Sequence, residues 1–439
     1  MNVATETANA RTVGRGDAPT DAAPMTPPPA IPQASTPLRR ALQAVMRVAI
    51  RNGMRLYFIA LAVARVVHLP GRRGDGPVDV LVTGTFHSDN WVRAHLLPLA
   101  ASSRVRQVYV ATVNPIPPID KVTPLHPPAW MQRMLGGVPS RLLVFIWTAL
   151  RRRPHWVGGF HMLLNGLVAA LFARLAGARS IYFCVGGPME LIGGGALSEN
   201  RLFAKMGRAD ETVEAQLVRA VGAFDLVVTM GSRAIDYFRR RGVQARYHVV
   251  SGGIDASFDP TPLPTTSDLV LVGRLVEVKR IDLYLRAVAI AARQKPGLTA
   301  TVVGDGPLRG AMEALARELG IAGQVRFAGH QTDVPRWLRQ SRLFVLTSDS
   351  EGLALSLMEA MTCGLPAIVS NVGDLGDLVE HGVNGFLVSE RTPEAFAERI
   401  VELLLKPERL RAFSTAARQA ALRHATPRVV EQWNDILAG

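Results

Sequence analysis

Cysteine is nearly absent from this 439-residue chain: Cys184 and Cys363 stand alone, each in an apolar setting. Two distant thiols exclude a disulfide framework and fit a reducing, cytoplasmic compartment. Metal-ligand spacing is missing as well, since neither a His/Cys/carboxylate cluster nor an Asp-x-Asp triplet occurs. Aromatic residues make up 6% and are not interleaved with basic ones, so nucleic acid is not an expected partner. Within the basic segment near the start, the longest uncharged apolar run is Leu56 to Ala64. That is far short of the roughly 20 residues that span a bilayer. The P-loop and the G-x-S-x-G elbow are absent, and Gly304, Gly306 and Gly310 miss the G-x-G-x-x-G spacing. ATPase, hydrolase and nicotinamide-dependent readings thereby lose their anchors.

Acidic residues are also in short supply, 36 against 50 Lys and Arg, for a net charge of +14. The excess reads either as an anionic partner or as an arginine-rich composition throughout. Residues 1–36 are Ala/Thr/Pro-rich and read as a disordered tail. Residues 37–70 read as a basic amphipathic helix, with Arg40, Arg47, Arg51, Arg55 and Arg65 within one third of a helical wheel. Two readings stand for it. Its 39–68 stretch lies in an anionic membrane interface, or the helix docks on the first domain with a solvated arginine face. The linker 71–76 follows.

From Val78 onward strand-like and helix-like stretches alternate. Strands are expected at Val78–Gly84, Val105–Thr112, Trp156–Gly158, Ser180–Val185 and Leu226–Met230, with a Pro-rich loop over 115–128 and a helix over Arg141–Arg152. A second series has strands at Asp268–Gly273, Leu298–Gly304, Val325–Gly329, Leu343–Thr347 and Ala367–Val369. The expected fold is α/β: two doubly wound domains, 76–262 and 265–424, joined by a Pro-rich linker around Pro260–Pro264 and facing a cleft.

The most informative stretch is Ser350–Gly364. Glu351-Gly352 falls at a strand's carboxyl end, where open α/β sheets bind ligands, and opens an apolar helix whose first N–H groups suit phosphate. Glu359, two turns in, can accept hydrogen bonds from a vicinal diol. A diol at one end and a diphosphate at the other describes a sugar nucleotide. Upstream, Arg274 ends a strand and Lys279 precedes the next helix, two cations suited to holding a diphosphate and its growing charge. Alone, they read as a solvated basic loop; together with the glutamate pair downstream they read as diphosphate ligands. Gly304-Asp305-Gly306-Pro307 is a tight turn beside the same cleft. In the first domain, His87, His161 and Gly186-Gly187-Pro188-Met189-Glu190 each follow a strand; a lone histidine such as His87 reads as a loop or core residue.

Gly273-Arg274-Leu275 with Lys279, Gly304-Asp305-Gly306-Pro307, and Glu351-Gly352 through Glu359-Ala360-Met361 with Gly364 together resemble the family-four retaining glycosyltransferases. The resemblance covers residues 78 to 439, more strongly in the second half. It implies a GT-B architecture of two Rossmann-like domains, with the last helix, containing Trp433, crossing back onto the first. It implies a nucleoside-diphosphate sugar donor and no further cofactor or metal. Arg274 and Lys279 match the diphosphate ligands, Glu359 the ribose ligand, and Glu351 the contact to the donor sugar. Gly304 and Gly306 line that site, while Gly352, Leu353 and Ala354 supply backbone N–H groups. His161 matches a first-domain histidine near the reacting carbon. Leu353-Ala354 replaces a more usual aromatic–glycine pair. The acceptor does not carry over; an envelope glycolipid or polysaccharide at the inner membrane face is expected, with a soluble sugar phosphate or a silent binding module as alternatives.

Overall fold

The computed structural model describes residues 36–72, 76–86, 88–196, 200–261 and 263–438. The expected tail, Thr36 apart, the middle of the 71–76 linker, and His87 lie outside the described residues. From Pro37 on the chain is one compact unit built on two parallel sheets.

The first sheet holds β1 (Val78–Thr83), β2 (Val105–Ala111), β3 (Val122–Leu125), β4 (Trp156–Phe160), β5 (Arg179–Cys184), β6 (Leu226–Thr229) and β7 (Tyr247–Val249), in the order β3-β2-β1-β4-β5-β6-β7. The second holds β8 (Ser267–Val272), β9 (Ala300–Val303), β10 (Val325–Gly329), β11 (Ser341–Leu346), β12 (Ala367–Ser370) and β13 (Gly385–Val388), in the order β10-β9-β8-β11-β12-β13. In each sheet the order reverses once, between β1 and β4 and between β8 and β11. Loops diverge there and leave a crevice at the strands' carboxyl ends.

The first domain carries α1 (Pro37–Val63), α2 (Asp89–Ala101), α3 (Ala129–Leu135), α4 (Gly137–Arg152), α5 (Leu167–Leu175), α6 (Arg201–Ala204), α7 (Glu211–Val221) and α8 (Ser232–Arg240). The second carries α9 (Ile281–Gln294), α10 (Arg309–Glu318), α11 (Val334–Arg339), α12 (Leu355–Thr362), α13 (Pro393–Leu404) and α14 (Pro407–Ala421). The last helix, α15 (Thr426–Ala438), returns to the first domain and buries Trp433 against Val80, Val82 and Phe183. Because strands alternate their side chains, each sheet feeds two cores. Leu269 and Leu271 face α9 and α13, while Val270 and Val272 face α12.

Two expectations are corrected here. The 115–128 loop contains β3, with Pro124 inside it; β3 is the sheet edge, where a missing N–H costs no ladder bond. The helix expected from Arg141 starts at Gly137 and is preceded by α3. Helix α1 docks on the first domain: Met54 is buried in its core, with Met46, Ile50 and Tyr57 packed alongside. Its arginines are not all solvated, since Arg47 donates to the Met206 carbonyl (2.8 Å) and Arg51 pairs with Asp210 (2.8 Å). Cys184 and Cys363 are buried free thiols.

Candidate active site

At the second sheet's switch point, the loops after β8 and β11 are neighbours because their strands pair. Lys279 Nζ donates to Glu351 Oε1 at 2.5 Å, and the same oxygen accepts from Ser348 Oγ at 2.6 Å. Thr347 Oγ1 donates to the Lys279 and Arg280 carbonyls, and Arg280 and Arg391 both pair with Asp349. Lys279 and Glu351 therefore form one charged unit, placed by two loops. Arg274 is exposed on the same β8 loop.

Gly304 and Gly306 have a packing task beside it. At Gly304, φ is 137°, and a Cβ would run into the Gly273 carbonyl; at Gly306 it would strike the Leu275 carbonyl. Only glycine lets the two loops pass so closely. The Leu275 N–H donates to the Asp305 carbonyl at 2.9 Å and completes the contact.

Helix α12 starts at Leu355 with no side-chain cap, after Gly352, Leu353 and Ala354. Glu359 lies within it at 4% exposure, and no hydrogen bond or ion pair reaches its carboxyl among the described residues. Burial pushes that carboxyl up to about 8. A Cβ on Gly352 would sit 2.9 Å from the Val185 carbonyl, so this loop touches the first domain. An apolar pocket lined by His95, Phe160, Phe183, Met230 and Trp433 shares Val185 with that contact.

At the first sheet's switch point stands His161, after β4, with φ of 64° and a half-exposed side chain. Its Nδ1 lies 2.9 Å from Glu190 Oε1. Glu190 is buried and accepts as well from the N–H groups of Met162 (2.8 Å) and Gly186 (2.7 Å) and from Tyr182 Oη (3.0 Å). Burial alone would raise the Glu190 carboxyl, but His161 and these N–H donors hold it below the usual range. Arg141 of α4, also buried, donates to the Gly84 carbonyl, Thr85 Oγ1 (3.0 Å) and Asn165 Oδ1 (2.7 Å), tying the loops after β1 and β4 together.

The structure thus brings Lys279 and Glu351 into contact, with Arg274 on the Lys279 loop and Glu359 in the helix that follows Glu351. His161 belongs to the first domain's switch point. Sequence reasoning placed Glu190 only within a glycine-rich segment at a strand end and gave it no role beside His161, and it missed Arg141. One signal was available for Glu190: it is the single carboxylate between Asp120 and Glu199, in an apolar, glycine-rich stretch.

Across the two domains the Ser232 N–H and hydroxyl donate to Asp377, at 2.6 and 2.8 Å. The Arg233 N–H donates to Asp374 at 2.9 Å. These bonds place the turn at Gly373–Asp377 on the N-terminus of α8, where carboxylates are favoured.

Residues 254–420 match the family model for glycosyl transferases group 1. D-inositol 3-phosphate glycosyltransferase of Thermobispora bispora is 35% identical over 202 residues, 41% of this chain and 46% of that protein. An exopolysaccharide phosphotransferase of Streptomyces coelicolor is 29% identical over 231 residues, 51% of this chain and 24% of that one. The chain spans less than half the length of these curated relatives. The crystal structure of Anabaena HepE in complex with UDP-glucose superposes with a TM-score of 0.64 over 82% of this chain and 99% of HepE, at 19% identity. Residues 254–420 are thus similar to the glycosyl transferases group 1, and the two-domain frame of the chain is the GT-B fold.

Proposed function

We propose that this protein is a retaining glycosyltransferase that moves a hexosyl or N-acetylhexosaminyl unit from a nucleoside-diphosphate sugar to an envelope glycolipid or polysaccharide. The observation that carries the reading is Glu359. A buried carboxyl that no hydrogen bond or ion pair reaches among the described residues, two turns beyond the Glu351–Ala354 loop, suits a ribose diol. Arg274, Lys279 and the N–H groups of Gly352, Leu353 and Ala354 would then receive the diphosphate, with no metal required. Glu351 would meet the donor sugar's hydroxyls, and His161 would approach the anomeric carbon from the first domain.

Glu351 is paired to Lys279, which suits a binding group better than a nucleophile and favours attack from the leaving-group face. The acceptor oxygen bonds to the anomeric carbon as the bond to the β-phosphate oxygen breaks. The acceptor proton passes to that departing phosphate, whose charge Arg274 and Lys279 stabilise. The name of the Streptomyces relative favours a polysaccharide acceptor. The name of the Thermobispora relative favours a second reading, a soluble phosphorylated acceptor.

Calorimetric titration with uridine, guanosine and adenosine diphosphate sugars tests the donor site. One nucleotide class is expected to bind, and Lys279→Ala and Glu359→Ala are each expected to weaken it about a hundredfold, the worth of one or two charge-assisted bonds. Unchanged affinity in both variants sinks the assignment. The anomeric configuration of the product, read by proton NMR, decides retention, and activity unchanged by a chelator is expected.

A further inference from the structure

Helix α1 is apolar on two faces. One is buried: Met46, Ile50, Met54, Tyr57 and Leu61 pack on the first domain. The other faces outward. Leu38, Leu42, Val45, Leu56, Ile59 and Val63 are all more than half exposed. At about 100° per residue they fall within a third of the helix circumference. The hairpin of α3 and α4 adds Trp130, Met134, Leu143 and Trp147, also exposed. Both sets lie on the same side of the first sheet, since α1 and α4 each pack on α5. Soluble surfaces seldom leave so much apolar area in water.

Charge identifies the occupant. Residues 1–262 hold 30 Lys and Arg against 16 Asp and Glu, whereas residues 263–439 hold 20 of each. The entire net charge thus belongs to the first part of the chain. The stretches 22–74 and 121–189, which contain α1 and the α3–α4 hairpin, have no acidic residue and eight Lys or Arg each. A second copy of this chain would bring the same positive field and be repelled. Residues 1–35 offer only Met1, Val3, Val13, Met25 and Ile31 as large apolar side chains, too few to cover the surface. A surface that is apolar, cationic and edged with tryptophan matches the headgroup zone of an anionic bilayer, where arginine stems and indole rings both reside.

We propose that the outer stripe of α1 together with the α3–α4 hairpin is a docking surface for an anionic lipid bilayer, with α1 lying flat on it. This differs from a membrane contact through the arginine face of α1, part of which is spent on Met206 and Asp210. It does not rest on the transferase reading.

The test is sedimentation of the full chain with vesicles of phosphatidylcholine alone and of phosphatidylcholine mixed with phosphatidylglycerol. Binding to the mixed vesicles is expected, weakening as salt rises. Leu56→Glu combined with Ile59→Glu, both exposed in the fold, is expected to lower the partition at least about tenfold. Far-ultraviolet circular dichroism and nucleotide affinity should stay unchanged, so failure here is separable from failure of the donor site. Brominated acyl chains are expected to quench the parent, while Trp130→Phe with Trp147→Phe removes the quenching and keeps the binding. Equal partition of the parent and the glutamate variant overturns the proposal. So does a parent that ignores both vesicles and elutes as a dimer that the glutamates dissociate.

Discussion

Two buried carboxyls, Glu190 and Glu359, respond to burial in opposite ways, and the difference is in their partners. Four donors surround Glu190, so it stays ionised and holds His161 by Nδ1. Gln at 190 would turn an amide N–H toward one of those donors and loosen the imidazole. Glu190→Gln is expected to lower kcat about a hundredfold, the scale of an ångström of misplacement. Donor affinity by calorimetry should be unchanged. A kcat equal to the parent's removes Glu190 as a positioning residue. Glu359 has no such donors among the described residues, and burial raises its carboxyl to about 8. Because the folded group keeps its proton above the ordinary carboxylate range, its contribution to stability falls as pH climbs from about 4 to about 8. A ribose diol donating to it favours the ionised form. Donor affinity is therefore expected to increase with pH up to about 8 and then level off. At neutral pH binding should release about one proton, seen as different heats in buffers of different ionisation enthalpy. Glu359→Gln should abolish that release.

At the scale of elements, what was legible follows burial. Central parallel strands are covered on both faces, so they read as continuous branched runs, and all of them were recognisable: Val80-Leu81-Val82 in β1, Phe344-Val345-Leu346 in β11. Three of the four edge strands were not. β3 contains Pro124, β7 carries Tyr247 and His248, and β13 begins with Gly385 and has only four residues. An edge strand has one neighbour and less core to fill, so its sequence is less constrained. The loops after β8 and β11 were legible because Arg274, Lys279 and Glu351 stand at the ends of recognisable strands. Glu190 was hidden on a short 3-10 turn at Gly187–Glu190, where no periodicity points inward. Helix α1 was recognised as amphipathic, but a single wheel could not assign its two apolar faces to different partners.

At the scale of the whole molecule, the chain crosses between its domains and back. Ile254 bridges to Ala425, the Ile254 N–H donates to the His424 carbonyl at 2.7 Å, and α15 then lies on α2. The C-terminus is thus part of the first domain's core, and a change there should be felt far away in sequence but not in the nearer domain. Trp433 is 2% exposed and contacts Phe183 at a ring separation of 6.1 Å. Trp433→Ala leaves a cavity under α15 and is expected to cost about 3–5 kcal/mol. The loss should appear by hydrogen exchange in β1, β2 and β5, whose side chains belong to the same core as Trp433, while β9 and β12 keep their protection. Equal loss in both sheets would mean that the two domains unfold as one unit. The Asp374 and Asp377 contacts to α8 would then be what couples the two domains. The first outcome instead assigns α15 to the first domain energetically as well as geometrically.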